Sequence, residues 1–209
     1  MSLPLRALLW DMDGTLVDSE PVHRRSFVDA ARSHGLALPE DFHDGLIGKS
    51  EDAIHAILVA EHGLDMPFAA WSESRFAAYL ARIEEVQPFA IATDLWARAE
   101  AAGLDQAIVS NSPAGIVRAN LTRLGLAPGS VVTVSRNDVA RGKPHPDPYL
   151  LGLSRLGVPA TAAAVIEDSG AGLAAAQAAG IAAYMMPWFE GEKGNWQPFG
   201  ALQKHLPHA

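Results

Sequence analysis

No cysteine occurs among the 209 residues, so disulfides, thiol nucleophiles and cysteine-ligated metal centres are excluded at the outset. No apolar run approaches the roughly 20 residues that a membrane-spanning helix needs. The opening MSLPLRALLW has one Arg and a short apolar run that ends in Asp11 and Asp13, without the longer run and small-residue cleavage site of an export signal. A cytoplasmic protein with no membrane association is therefore expected. Positive charge is also scarce: 16 Lys and Arg stand against 24 Asp and Glu, giving a formal charge of −8. That balance offers no general attraction to nucleic acid or to an anionic surface, so an anionic ligand has to be gripped by local groups.

What is present reads as an ordinary globular chain, 49% hydrophobic and 19% charged, long enough for one substantial domain with an insertion. Five short apolar runs predict buried parallel strands: Ala7 to Trp10, Gln106 to Val109, Val131 to Val134, Ala163 to Ile166 and Ile181 to Met185. Helical segments separate the later runs. Ser112-Pro113 and Asp147-Pro148 suit N-cap and first helical positions ahead of Gly115 to Leu124 and Tyr149 to Leu156, and the Ala-rich stretch Ala171 to Ala179 closes at Gly180. This alternation is that of an α/β fold with a doubly wound parallel sheet. The stretch from Val17 to Pro88 breaks it, with helical periodicity over Pro21 to Ser33, Glu51 to His62 and Pro67 to Val86 and almost no strand signal. A helical insertion after the first strand is the economical reading. The tail from Trp188 onward is rich in Gly and Pro, and its two Trp residues are expected to pack on the body or to lie over the site.

Asp11-Met12-Asp13-Gly14-Thr15 follows directly on the first apolar run. In an open parallel sheet, ligands bind beyond the carboxyl ends of the strands, where Asp11 falls. Two carboxylates so close repel each other and raise at least one pKa unless a cation or a shared proton intervenes. A phosphate ester makes use of such a pair: Asp11 can attack phosphorus, and Asp13 can protonate the leaving oxygen and later deprotonate water. Gly14 lets the backbone turn close to the phosphoryl group. The same five residues also suit a plain turn.

Three more stretches point the same way, each with a purely structural alternative. Ser110 and Asn111 place a hydroxyl and an amide just before a helix N-terminus, a ready anion site, although Ser112 capping the helix would account for the pattern too. Lys143, within Gly142-Lys143-Pro144-His145-Pro146, is a cation in a proline-stiffened loop that could neutralise phosphoryl oxygens, or else a solvated loop lysine. Glu167 and Asp168 close the fourth apolar run with hard oxygen ligands that suit Mg²⁺, or with an N-cap from Asp168 or Ser169.

These four stretches, in this order, resemble the motifs of the haloacid dehalogenase-like superfamily, over nearly the whole chain up to about Trp188. The resemblance implies a Rossmann-like core of residues 1–16 and 89–209 with an α-helical cap of residues 17–88. It implies Mg²⁺ held by Asp11, the backbone carbonyl of Asp13, and Asp168, with Glu167 helping directly or through the water shell. Phosphate would be cradled by Gly14, Thr15, Ser110, Asn111 and Lys143. Asp18-Ser19-Glu20-Pro21-Val22-His23 and Gly48-Lys49-Ser50 are similar to the β-phosphoglucomutase-like and sugar-phosphatase branch. The expected partner is thus a small phosphorylated metabolite, with His23, Lys49 and Arg75 as candidates for contacting it from the cap and a monomer or homodimer as the assembly. Where the mutase pattern has a Lys and an Arg to grip a second phosphate, this chain has Ile47 and Glu51. Hydrolysis is therefore favoured, with a mutase or a non-catalytic phosphate binder as alternatives. Gln87-Pro88-Phe89-Ala90 departs from the Pro-Gly turn common among relatives.

Overall fold

The computed structural model describes residues 5–39, 42–46, 51–191, 194–204 and 206. It divides into two compact units, residues 1–18 with 87–209, and residues 19–86. Ile47, Gly48, Lys49 and Ser50 lie outside the described residues.

In chain order the elements are β1 (Ala7–Trp10), β2 (Val17–Asp18), α1 (Glu20–Ser33), α2 (Glu51–His62), α3 (Phe68–Leu80), β3 (Gln87–Pro88), α4 (Ala90–Ala101), β4 (Asp105–Val109), α5 (Ala114–Arg123), β5 (Val132–Val134), α6 (Asp147–Leu156), β6 (Ala163–Glu167), α7 (Gly170–Ala178), β7 (Ala182–Met185), β8 (Gln197–Pro198) and α8 (Phe199–Gln203). The larger unit is built on a six-stranded sheet in the order β5-β4-β1-β6-β7-β8, with every pairing parallel. This is the doubly wound α/β sheet that the five apolar runs predict.

All four residues of β1 are fully buried, as a central parallel strand with both faces covered requires. Leu9 joins Ala107, Val109, Val165, Tyr149 and Leu153 in one core layer, to which α6 and α7 contribute. On the other face Trp10 packs against Trp96 of α4, ring centroids 5.7 Å apart, and its indole N–H donates to Gln106 Oε1 at 3.0 Å. An indole this deep keeps its stability contribution only if that N–H finds an acceptor.

The helical unit encloses its own core of Phe27, Ala30, Ala31, Leu46, Ile54, Leu58, Leu64 and Trp71. The periodic stretch from Pro67 to Val86 is not one helix. α3 stops at Leu80 and a 3₁₀ turn follows over Ile83–Glu85, because Arg82 leaves the helix to bond Asp29 at 2.7 Å and Glu85 at 2.8 Å. A second departure lies at the crossings between units, where β2 and β3 pair antiparallel over two residues each. Ladders this short leave no alternation to read in a sequence. The tail adds the sixth strand, β8, and α8, which Arg98 anchors by donating to the carbonyls of Gln203 and Leu206 at 2.6 and 2.7 Å. Among the described residues no helix is long and apolar enough to cross a membrane.

Candidate active site

Strand register brings the candidate residues to one end of the sheet. Trp10 is opposite Ile108 of β4 and Ile166 of β6, so the chain leaves β1 at Asp11 level with the ends of both neighbours. The Asp11 N–H extends the ladder onto the Ile166 carbonyl at 2.9 Å, and the Ser110 N–H does the same onto Val134 at 2.9 Å.

Lys143 is the hub of this end. Its side chain is 3% exposed, and its ammonium donates to Asp11 Oδ1 at 2.6 Å, Glu167 Oε1 at 2.6 Å and the Val109 carbonyl at 2.7 Å. An ammonium has three N–H groups, so these partners use them all. The loop carrying it is clamped by Asn111, whose Oδ1 accepts from the Lys143 N–H at 2.8 Å and whose Nδ2 donates to the Lys143 carbonyl at 3.0 Å. Asn111 thus orients the lysine. The alternative of a solvated loop lysine is ruled out by this burial.

Glu167 is fully buried and saturated with donors. Oε1 accepts from Lys143 and, at 2.7 Å, from the hydroxyl of Tyr149, whose ring lies 4.9 Å from the ammonium. Oε2 accepts from the Asp168 and Ser169 N–H groups, both at 3.2 Å, and from Ser169 Oγ at 2.9 Å. A carboxylate so occupied has little capacity left for a cation, which favours action through neighbouring groups over direct ligation.

Asp13 is gripped from one side. Its Oδ2 accepts from Ser112 Oγ at 2.7 Å and Ser110 Oγ at 3.1 Å, and its Oδ1 accepts from Asn120 Nδ2 at 3.1 Å. Ser112 is therefore not the helix cap. Pro113 holds the N-cap position of α5, and the Ala114 N–H is satisfied by Asn137 Oδ1 at 2.9 Å. The acidic side chain across the site draws the Ser112 hydroxyl away from the helix end.

Gly14 and Thr15 complete the turn around Asp168. Gly14 has φ of +84°, and a Cβ built on it would lie 2.0 Å from Asp168 Oδ2, so only glycine fits. Thr15, fully buried, donates its hydroxyl to Asp168 Oδ1 at 3.1 Å.

Charge at this end is unbalanced. Oxygen atoms of Asp11, Glu167 and Asp168 all lie within 4.8 Å of one another, with one lysine among them. Burial pushes the Asp11 carboxyl well up; Lys143 opposes this, and Glu167, Asp168 and Asp13 add to it. Asp168 is pushed up to about 7 by burial and by Glu167, against the Thr15 hydrogen bond and Lys143. Burial alone would lower Lys143, but Asp11 and Glu167 outweigh it and hold the ammonium protonated. Buried hard-oxygen groups that resist ionisation for want of positive charge fit a divalent cation of the Mg²⁺ type.

In the helical unit, His23 on α1 packs its ring on Tyr79 at 4.6 Å. Arg75 on α3 is paired with Glu51 at 3.4 Å and stacked over Phe27 at 5.3 Å, so its charge is already compensated inside that unit. Lys49 falls outside the described residues.

Tyr149, Ser112 and Asn120 were not legible as site residues. Tyr149 reads as one more apolar helix position, Ser112 as a cap and Asn120 as a polar residue in mid-helix, and only tertiary contact reveals their acceptors.

The family model for haloacid dehalogenase-like hydrolase matches residues 5–180. Hexitol phosphatase A of Escherichia coli is 37% identical over 185 residues, covering 84% of this chain and 80% of that protein. Phosphoglycolate phosphatase of Yersinia pseudotuberculosis is 35% identical over 182 residues, covering 84% of this chain and 78% of its own. Among solved structures, CbbY from Rhodobacter sphaeroides in complex with xylulose-(1,5)bisphosphate superposes with a TM-score of 0.83 at 27% identity, covering 93% of this chain and 92% of that one.

Proposed function

Since the chain belongs to the haloacid dehalogenase-like hydrolases, we propose that it is a Mg²⁺-dependent phosphatase that hydrolyses a small phosphorylated sugar, polyol or phosphoglycolate-like metabolite through a phosphoryl group carried on Asp11. The observation that carries this reading is the buried Lys143 ammonium, 2.6 Å from Asp11, beside the acidic pair Glu167 and Asp168. The ion pair opposes the burial that pushes the Asp11 carboxyl up and so favours its ionised, nucleophilic form, which a bound divalent cation would favour further.

An Asp11 oxygen attacks phosphorus, the ester P–O bond breaks, and Asp13 gives the leaving oxygen its proton. Asp13, now a carboxylate, takes a proton from water as that water attacks the same phosphorus. The bond to Asp11 breaks, releasing inorganic phosphate and restoring the free carboxylate. Asp11, the Asp13 carbonyl and Asp168 would hold Mg²⁺, with Glu167 behind them; bound there, the ion supplies charge neutralisation of the phosphoryl oxygens. Gly14, Thr15, Ser110, Asn111 and Lys143 form the surround of the phosphoryl group. Because the Lys143 donors are already engaged, its main contribution is to Asp11 rather than to a free anion.

Residues 17–88 serve as a cap in this reading, and His23, Lys49 and Arg75 remain its candidate substrate contacts. Pairing of Arg75 with Glu51 argues against a spare cation there for a second phosphate and so favours hydrolysis over a mutase. The named relatives support the substrate class, since they act on a hexitol phosphate and on phosphoglycolate and one was crystallised with a sugar bisphosphate.

The test is phosphate release from an aryl phosphate and from a panel of hexose, hexitol and pentulose phosphates and phosphoglycolate. Wild type should turn over at least one, Asp11→Asn none, and acid-quenched wild type should carry label from a ³²P-substrate that the variant does not. Full activity in Asp11→Asn would overturn the mechanism.

A further inference from the structure

Trp188 and Phe89 have no part in the scheme above, yet they close a ring of contacts around the nucleophile turn. Trp188 follows β7 in a turn whose first residue is fixed to the site, the Met186 N–H donating to the Glu167 carbonyl at 2.8 Å. From there the indole N–H of Trp188 donates to the Gly14 carbonyl at 2.9 Å, although the residue is 40% exposed. The other face of this arrangement is Phe89, its ring centroid 4.4 Å from that of Trp188 at 35°. Phe89 in turn donates its backbone N–H to the Leu16 carbonyl at 3.0 Å. Gly14, Leu16, Phe89 and Trp188 thus form one cycle of two hydrogen bonds, one ring contact and the short run of chain through Thr15.

An exposed Trp is expensive to leave in water, and its position needs a cause. Here the cause is directional. Asp168 crowds the side of Gly14 where a Cβ would stand, and Trp188 donates to the carbonyl of the same residue. Rotation of the Gly14–Thr15 peptide would break the Trp188 bond to its carbonyl and the 3.3 Å bond from its N–H to the Met12 carbonyl, loosening the residue whose hydroxyl holds Asp168 Oδ1. Glycine's freedom leaves that long bond within the turn as a weak restraint on the peptide, and the Trp188 N–H adds a second from outside it.

We propose that Trp188 is a positioning residue: through the Gly14 carbonyl it fixes the peptide that carries Thr15, and so sets the orientation of Asp168, with Phe89 bracing the indole from behind. The inference rests on Asp168 being a divalent-cation ligand, as in the function proposed above.

Trp188→Phe keeps a ring against Phe89 and removes the donor, while Phe89→Leu keeps the donor and removes the ring contact. Two measurements are made on each purified variant: the Mg²⁺ concentration that half-saturates the rise in thermal midpoint, without substrate, and kcat with KM on the best phosphoester. Loss of one neutral hydrogen bond predicts a half-saturating Mg²⁺ concentration about fivefold higher in Trp188→Phe, with kcat lowered by a similar factor and KM little changed. Phe89→Leu should show the same direction with a smaller effect. An unchanged Mg²⁺ midpoint in Trp188→Phe overturns the proposal, and so does a lowered thermal midpoint in EDTA with unchanged Mg²⁺ dependence, which would mark a purely structural tryptophan. Should wild type release no phosphate from any ester, the phosphatase reading fails, while the substrate-free Mg²⁺ titration still decides the role of Trp188.

Discussion

Removing the hydroxyl of Tyr149 leaves Glu167 Oε1 with Lys143 alone among the two side chains that now serve it. A buried hydrogen bond to a charged acceptor contributes about 1.5–3 kcal/mol. Tyr149→Phe is therefore expected to lose stability in that range, measured by urea unfolding, and to lose several-fold in kcat as Lys143 is drawn further from Asp11 toward Glu167. At Gly14 the loss is steric. Gly14→Ala combines a positive φ with a Cβ that would lie 2.0 Å from Asp168, so it should cost more than about 1 kcal/mol and abolish the Mg²⁺-dependent rise in thermal midpoint. Neither effect can be read from residue type. A tyrosine in an amphipathic helix and a glycine in a turn are common, and it is the specific acceptor 2.7 Å away or the oxygen at 2.0 Å that makes them matter.

Elements are held in place by side chains acting at their ends. The link from β5 to α6 turns on Asp138, which accepts from the Ser135 N–H at 2.8 Å, from Ser135 Oγ at 2.5 Å and from Arg155 of α6 at 2.7 Å. Burial works against its ionisation, yet the Ser135 and Arg155 hydrogen bonds prevail and lower the carboxyl to about 2 from 3.8. A carboxyl depressed on folding stabilises the fold above its unfolded value and ceases to do so as the pH falls through its folded value. The Asp138 contribution should therefore be complete at pH 5 and lost between about pH 4 and pH 2. Its size, screened at a largely solvated site, is on the order of 1 kcal/mol or less. Urea midpoints of wild type and Asp138→Asn should differ at pH 6 and converge by pH 2. The helix starts show a related limit of sequence reading. Ser112 and Asp147 have the chemistry of caps, but Asp13 recruits the first and Arg141 pairs with the second at 3.0 Å, so the N-cap positions pass to Pro113 and Pro146.

At the scale of the whole molecule, one end of one sheet gathers Asp11, Asp13, Glu167 and Asp168 against a single buried lysine. Relief of that repulsion by a divalent ion should be visible without substrate. A ligand present at 100 times its Kd stabilises by about 2.7 kcal/mol, so Mg²⁺ at saturation should raise the thermal midpoint by several degrees over EDTA, and Ca²⁺ should do so while restoring less activity. The sequence by itself determined five of the six strands and the end of the sheet at which the charged residues gather, because buried parallel strands must be short apolar runs and the residue that follows each run must emerge at the same end. It also named Asp11, Lys143, Glu167 and Asp168, since carboxylates and a lysine in such places are seldom there for packing. The tertiary structure alone decided which donor serves which acceptor: Asn111 clamping Lys143, Tyr149 bonding Glu167, Asn120 holding Asp13, Trp188 reaching Gly14. Those pairs are separated by 18 to 174 positions in the chain. Hydrogen bonds are directional and reach only about 3 Å, so partners that far apart in sequence become definite only when the backbone has fixed where each side chain begins.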